Sequence, residues 1–133
     1  MTTAYARCAN LAYTLCANQP LTPAEAWQQA AAEVFPHSKP ARIKSCPKNA
    51  FLGLAAAGHM RGIAPFAHRS KNGAYACRAA QLLLALKPDT PLPDAKTLWL
   101  AVMHDIGETD KQPNSQMDVA LALYRMGVMV QTV

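Results

Sequence analysis

With 133 residues, 51% hydrophobic and 16% charged, the chain is long enough for one domain with a real core and too apolar to be natively disordered. Its apolar stretches, such as residues 79–86, fall far short of the roughly 20 residues of a membrane helix, and the start lacks the basic and apolar regions of a signal peptide. Net charge is a modest +5, and four cysteines (Cys8, Cys16, Cys46, Cys77) without close pairing read as reduced thiols in a cytoplasmic protein.

Residues 3–18 put Ala4, Tyr5, Cys8, Leu11, Ala12 and Leu15 on one helical face, and Asn18-Gln19-Pro20 ends the segment. Thr22-Pro23-Ala24-Glu25 is a capping box with proline at the first helical position. Behind it Trp27, Ala30, Ala31, Val34 and Phe35 form a stripe that Pro36 stops. Residues 37–44 read as a basic connector.

The chain is organised around residues 45–62, SCPKNAFLGLAAAGHMRG. Ser45 or Cys46 is the expected N-cap, Pro47 the first helical residue and Gly58 the stop. Ala50, Phe51, Leu54 and Ala57 share one face, and Leu52, Ala55 and Ala56 make the other apolar too, so protein should surround this helix. Gly53 in its middle costs about 1 kcal/mol relative to alanine; close approach of another helix would account for it.

Residues 60–73 are irregular, and Ser70-Lys71-Asn72-Gly73 reads as a turn with room for a short hairpin. Residues 74–87 then form the most apolar helix, with Tyr75, Ala79, Leu82, Leu83 and Leu86 on one face. Pro88, Pro91 and Pro93 stiffen the loop that follows. Asp94 caps a helix with Ala95, Leu98, Trp99, Val102, Met103 and Ile106 at ideal spacing, closed by Gly107. Ser115 and Asp118 read as a capping box for a last helix through Met126, ended by Gly127. Residues 128–133 form a short strand or a packed tail. With no repeat or linker, the expectation is a single all-α domain over 1–133, with five or six helices.

Charge is segregated along the chain. No acidic residue stands between Val34 and Pro88, while Lys39, Arg42, Lys44, Lys48, Arg61, Arg69, Lys71 and Arg78 all do, eight of the nine basic residues in that stretch. Such a distribution suits an anionic partner. The start of the central helix is the natural focus, because free N–H groups and the helix dipole attract anions. Arg42, Lys44, Ser45 and Lys48 stand there, and Arg61, Arg69, Lys71 and Arg78 extend the field if the irregular loop folds back.

SCPKNAFLGL, Gly62-Ile63, KNGAYA, Leu98-Trp99 and NSQMDVALAL together resemble a family of small, uncharacterised bacterial proteins. The resemblance spans about residues 27–128. It implies a self-contained domain and carries over no catalytic or binding residue. Ala55-Ala56 departs from that family's cysteine followed by an acid, so a pocket using those groups would be missing here.

Other constellations are weaker. Cys46 beside Lys48 at a helix start could have a depressed thiol pKa, with His37, His59 or His68 as base. Cys46, His59, His68 and Cys77 are zinc-ligand types, but neither half has the short spacing that pre-positions two ligands, so no metal or other cofactor is expected. His104-Asp105 resembles the His-Asp motif of all-helical HD-domain metal phosphohydrolases, with His68 and Asp118 as further ligands. The apolar stripe of its helix, however, turns His104 towards solvent. The last helix is apolar on two sides, Met117, Ala120, Leu121 and Tyr124 against Val119 and Leu123, which means deep burial or a homodimer contact there or on the first helix.

The leading expectation is a non-enzymatic binding or regulatory protein whose basic side, Lys39 to Arg78, contacts nucleic acid or another polyanion through backbone contacts. The alternatives are a module docking on an acidic protein, and a small hydrolase using Cys46 or the His104-Asp105 pair.

Overall fold

The computed structural model describes residues 3–131 of the chain. Among them are seven helical segments: α1 (Ala4–Asn18), α2 (Pro23–Val34), α3 (Lys39–Arg42), α4 (Ser45–Ala56), α5 (Lys71–Leu84), α6 (Ala95–Ile106) and α7 (Gln116–Arg125). Six have ten residues or more, and α3 is a single turn inside the basic connector. No strand forms among the described residues. The tail contributes one antiparallel bridge, Met60 to Met129, and residues 132 and 133 lie outside the described residues. Among the described residues, no helix is long and apolar enough to cross a membrane.

α1 and α2 pack as a hairpin through small residues. Ala6, Cys8, Ala9 and Ala12 face Ala26, Trp27, Ala30 and Ala31, all buried. The Thr22–Glu25 capping box forms in full: Glu25 N–H donates to Thr22 Oγ1 at 3.1 Å, and Thr22 N–H to Glu25 Oε1 at 2.9 Å. Trp27 reaches across to Phe51 of α4, ring centroids 5.2 Å apart.

α4 and α7 form the interior. Pro47 and residues 50–55 of α4 are buried, and so are seven of the ten residues of α7. α7 touches α1, α4, α5 and α6. That placement explains its two apolar faces: Val119 and Leu123 are fully buried on one side, Met117, Ala120 and Leu121 on the other.

Helix ends differ from expectation in three places. Lys44, not Ser45 or Cys46, is the N-cap of α4, and Pro47 sits three residues in. Proline is tolerated there because no N–H in the first turn has an intrahelical partner. No side chain caps α4. Ser70-Lys71-Asn72-Gly73 is not a hairpin turn but the start of α5: Ser70 Oγ accepts the Gly73 N–H at 2.9 Å. The Ser115–Asp118 capping box does not form. Ser115 is left-handed (φ 70°), and Gln116 folds back so that its Oε1 accepts the Asn114 N–H at 2.5 Å.

The glycine stops are where expected, while α5, read as running to residue 87, ends at Leu84. Gly58 takes φ 85°, with Gly58 N–H on the Ala55 carbonyl and His59 N–H on Leu54, the paired bonds of a Schellman ending. Gly127 closes α7 the same way, with bonds to Tyr124 and from Val128 to Leu123.

Gly53 meets another helix in the closest way available. A Cβ on it would lie 2.3 Å from the Cα of Gly73. α4 and α5 therefore cross backbone on backbone, at one glycine from each.

Candidate functional site

The α4–α5 crossing opens a groove of about 560 Å³. Its floor is Gly53, Ala56, Gly73 and Ala74; Phe66, His68, Arg69 and Lys71 stand around it. Small floor residues follow from the glycine crossing, since two backbones in contact leave no room for side chains between them. Phe66 is anchored by its N–H, which donates to the Ala56 carbonyl at 3.2 Å, yet its side chain stays 39% exposed. Among the described residues, no carboxylate lines the groove.

Three polar features fix its character. His68 Nε2 lies 3.1 Å from Ser70 Oγ, and that oxygen also accepts the Gly73 N–H. The hydroxyl is thereby committed to capping α5. The imidazole and the hydroxyl together form one polar wall of the groove. Cys77 donates its thiol to the Gly53 carbonyl at 3.4 Å, and burial pushes that thiol up, which favours the inert protonated form. Arg69 and Lys71 are exposed and flank Ser70.

The eight cations expected to form one field divide into committed and available ones. Arg42 donates to the Phe35 and Pro36 carbonyls at 2.9 and 3.1 Å, capping the end of α2. Arg61 donates to the Gly127 carbonyl at the end of α7. Arg78 places Nε and Nη2 at 3.0 and 2.8 Å from Asp105 Oδ2, the one ion pair among the described residues. Lys44 Nζ sits 5.7 Å from the centroid of the Tyr5 ring, a cation–π contact. Ser45 is exposed and Lys48 half-buried, at the start of α4, and neither lines the groove. Of the eight residues read as the anion site, the groove gathers Arg69 and Lys71.

The catalytic candidates do not assemble. His59 is buried, its backbone carbonyl accepts the Val130 N–H at 2.8 Å, and its Nδ1 lies 2.9 Å from the Val130 carbonyl oxygen, so Nδ1 carries the proton. It fastens the tail. His68 faces Ser70, and Cys46 is half-buried on the first turn of α4, outside the groove. His104 points to solvent, as its stripe requires, and Asp105 is held by Arg78. No group of three or more histidine, cysteine, aspartate or glutamate side chains stands ready for a metal among the described residues.

Sequence reasoning missed Phe66, Ser70 and Gly73 as parts of one wall. Ser70-x-x-Gly73 before Tyr75 and Ala79 carried the signal, since serine three residues ahead of a bonded N–H is a cap. The Asn72-Gly73 pair outweighed it by reading as a turn.

The motifs that carried the family resemblance meet in space. Gly73 of KNGAYA touches Gly53 of SCPKNAFLGL, and the Gln116 amide of NSQMD donates to Asn72 Oδ1 at 2.9 Å. No curated protein and no solved structure matches the chain. A model described as a family of unknown function (DUF6979) matches residues 2–130, and the chain belongs to that family.

Proposed function

We propose that this protein is a non-enzymatic binding protein whose α4–α5 groove takes a nucleotide phosphate with its base, at the exposed backbone of single-stranded nucleic acid. The observation that carries the reading is the meeting of an exposed aromatic, Phe66, with Arg69 and Lys71 around a groove free of carboxylates. A cationic wall draws the phosphate, and an aromatic face stacks on any base, at about 1–3 kcal/mol per base. The reading is narrower than a broad basic face, because Arg42, Arg61 and Arg78 are spent on carbonyls and on Asp105.

The two free cations, Arg69 and Lys71, set the expected scale. Each phosphate neutralised on a single strand adds about −0.7 to the slope of log K against log salt, so a slope of about −1.4 is expected. Anisotropy of a labelled single-stranded oligonucleotide, titrated at rising salt, measures it. Arg69→Glu with Lys71→Glu should abolish binding, Phe66→Ala should weaken it about tenfold or more, and Lys96→Glu on α6 should leave it unchanged. Absence of binding at low salt, or equal loss from Lys96→Glu, overturns the proposal.

A further inference from the structure

A second cleft, of about 470 Å³, lies between α6, the 107–114 loop and the start of α7. It shares no residue with the α4–α5 groove. We infer that it binds a small zwitterion of the amino-acid type, an ammonium and a carboxylate on a compact apolar body. The lining has that division of charge. Lys96 of α6 and Lys111 of the loop bring two cations, and Asp118 of α7 brings the carboxylate. Trp99, Leu100 and Met117 give the lining its apolar part. A purely anionic ligand would meet Asp118, a purely cationic one the two lysines; a molecule carrying both charges satisfies both walls.

The cleft is built, not merely left over. Trp99 Nε1–H donates to the Lys111 carbonyl at 3.4 Å, which ties the loop to α6 and sets where Lys111 stands. The Trp99 ring is held edge-on by Tyr75, centroids 5.4 Å apart. On the other wall, Ser115 is the one non-glycine residue with positive φ among the described residues. A left-handed serine costs about 1 kcal/mol or more and persists only where its surroundings hold it. Here the holder is Gln116, 2% exposed and bonded to both Asn114 and Asn72. Ser115 and Asp118, both at this start of α7, line the cleft. Asp118 is half-buried, and desolvation raises its pKa against the opposing pull of Ser115 and Arg125. A carboxyl kept where burial disfavours its charge is one that an incoming ammonium would stabilise. Leu100, 59% exposed on the α6 wall, is the natural seat for an apolar side chain.

The two indole N–H groups supply the readout. Trp99 lines the cleft, while Trp27 is 1% exposed against Phe51 and serves as an internal control. In an amide-correlation NMR titration with leucine and with phenylalanine, the Trp99 indole signal should move and the Trp27 signal should not. N-acetyl-leucine lacks the ammonium, and leucine amide lacks the carboxylate; each should bind at least about tenfold more weakly, as a lost charged contact predicts. Asp118→Asn, which keeps the side-chain shape, should weaken leucine about tenfold or more, and Lys96→Glu with Lys111→Glu should do the same. If neither amino acid moves Trp99, if N-acetyl-leucine binds as well as leucine, or if Asp118→Asn binds like the parent, the assignment fails. None of these results depends on oligonucleotide binding at the α4–α5 groove, so the two proposals stand or fall separately.

Discussion

Gly53→Ala puts packing and helix propensity in direct opposition. By propensity alone the change should stabilise α4 by about 1 kcal/mol. In the fold, the new Cβ would lie 2.3 Å from Gly73 Cα, 3.0 Å from its carbonyl carbon and 3.1 Å from its oxygen. All three obstacles are backbone, so no rotamer change relieves them. Ordinary contact begins near 3.4 Å, so α4 and α5 must part by about 1 Å. A gap of that size forfeits about a quarter to a half of each contact along the seam, and overpacking of this kind costs about 1–3 kcal/mol. The seam includes the Cys77 thiol on the Gly53 carbonyl. With three backbone obstacles the cost falls at the upper end of that range, about 2–3 kcal/mol, so after the propensity gain we expect a net destabilisation of about 1–2 kcal/mol, a fall in Tm of about 4–8 °C for a chain of this size. Urea unfolding followed by Trp27 and Trp99 fluorescence measures it. Gly73→Ala should cost less at the helix crossing, where its Cβ meets Gly53 Cα at 3.1 Å, with further close contacts to the Ser70 hydroxyl at 2.9 Å and the Asn49 carbonyl oxygen at 3.3 Å. A Gly53→Ala protein as stable as the parent, or more stable, would refute a backbone-on-backbone crossing.

Gln116→Ala removes both bonds of a buried amide, leaving Asn72 Oδ1 and the Asn114 N–H unpaired. A loss of about 2 kcal/mol is expected in chemical denaturation, and Asn72→Ala should cost much less in that background than in the parent, because the two share one bond. For pH, the Asp94 carboxyl accepts the Thr97 N–H at 2.7 Å, which holds its pKa below the usual carboxylate range. A depressed folded-state pKa stabilises the fold above the unfolded-state value, and that contribution disappears as pH falls through the folded-state value. Asp94→Asn keeps a cap without the charge, so its Tm should fall less than the parent's between neutral pH and about pH 3. An identical acid loss in both proteins would remove Asp94 from the account.

The central helix shows how far residue patterns carry. Ala50, Phe51, Leu54 and Ala57 on one face with Leu52, Ala55 and Ala56 on the other indicate burial all round; five of the seven are buried, while Ala56 is half-buried and Ala57 exposed at the helix end. Gly53 marks a close approach without saying to what. Its partner, Gly73, stood in a stretch that reads as a turn, because Asn-Gly is a turn signal wherever no cap competes. The Ser70 hydroxyl is the competitor, and it wins once α5 has α4 to pack against. Similarly, Ser115 and Asp118 satisfy the capping-box spacing, but Gln116 turned inward towards Asn72 imposes a left-handed Ser115 that the box cannot accommodate.

Charge shows the larger gap. The acid-free stretch is plain in the sequence, yet Arg42, Arg61 and Arg78 find carbonyls or a carboxylate 6, 66 and 27 residues away, and only Arg69 and Lys71 reach the groove. What the sequence determined alone was the set of helices, most of their stops and the depth of α4 and α7, because periodicity and caps act within a few residues. The tertiary structure alone decided which cations are free, which glycines touch and where a cleft opens, because those depend on partners the chain brings together only when it folds.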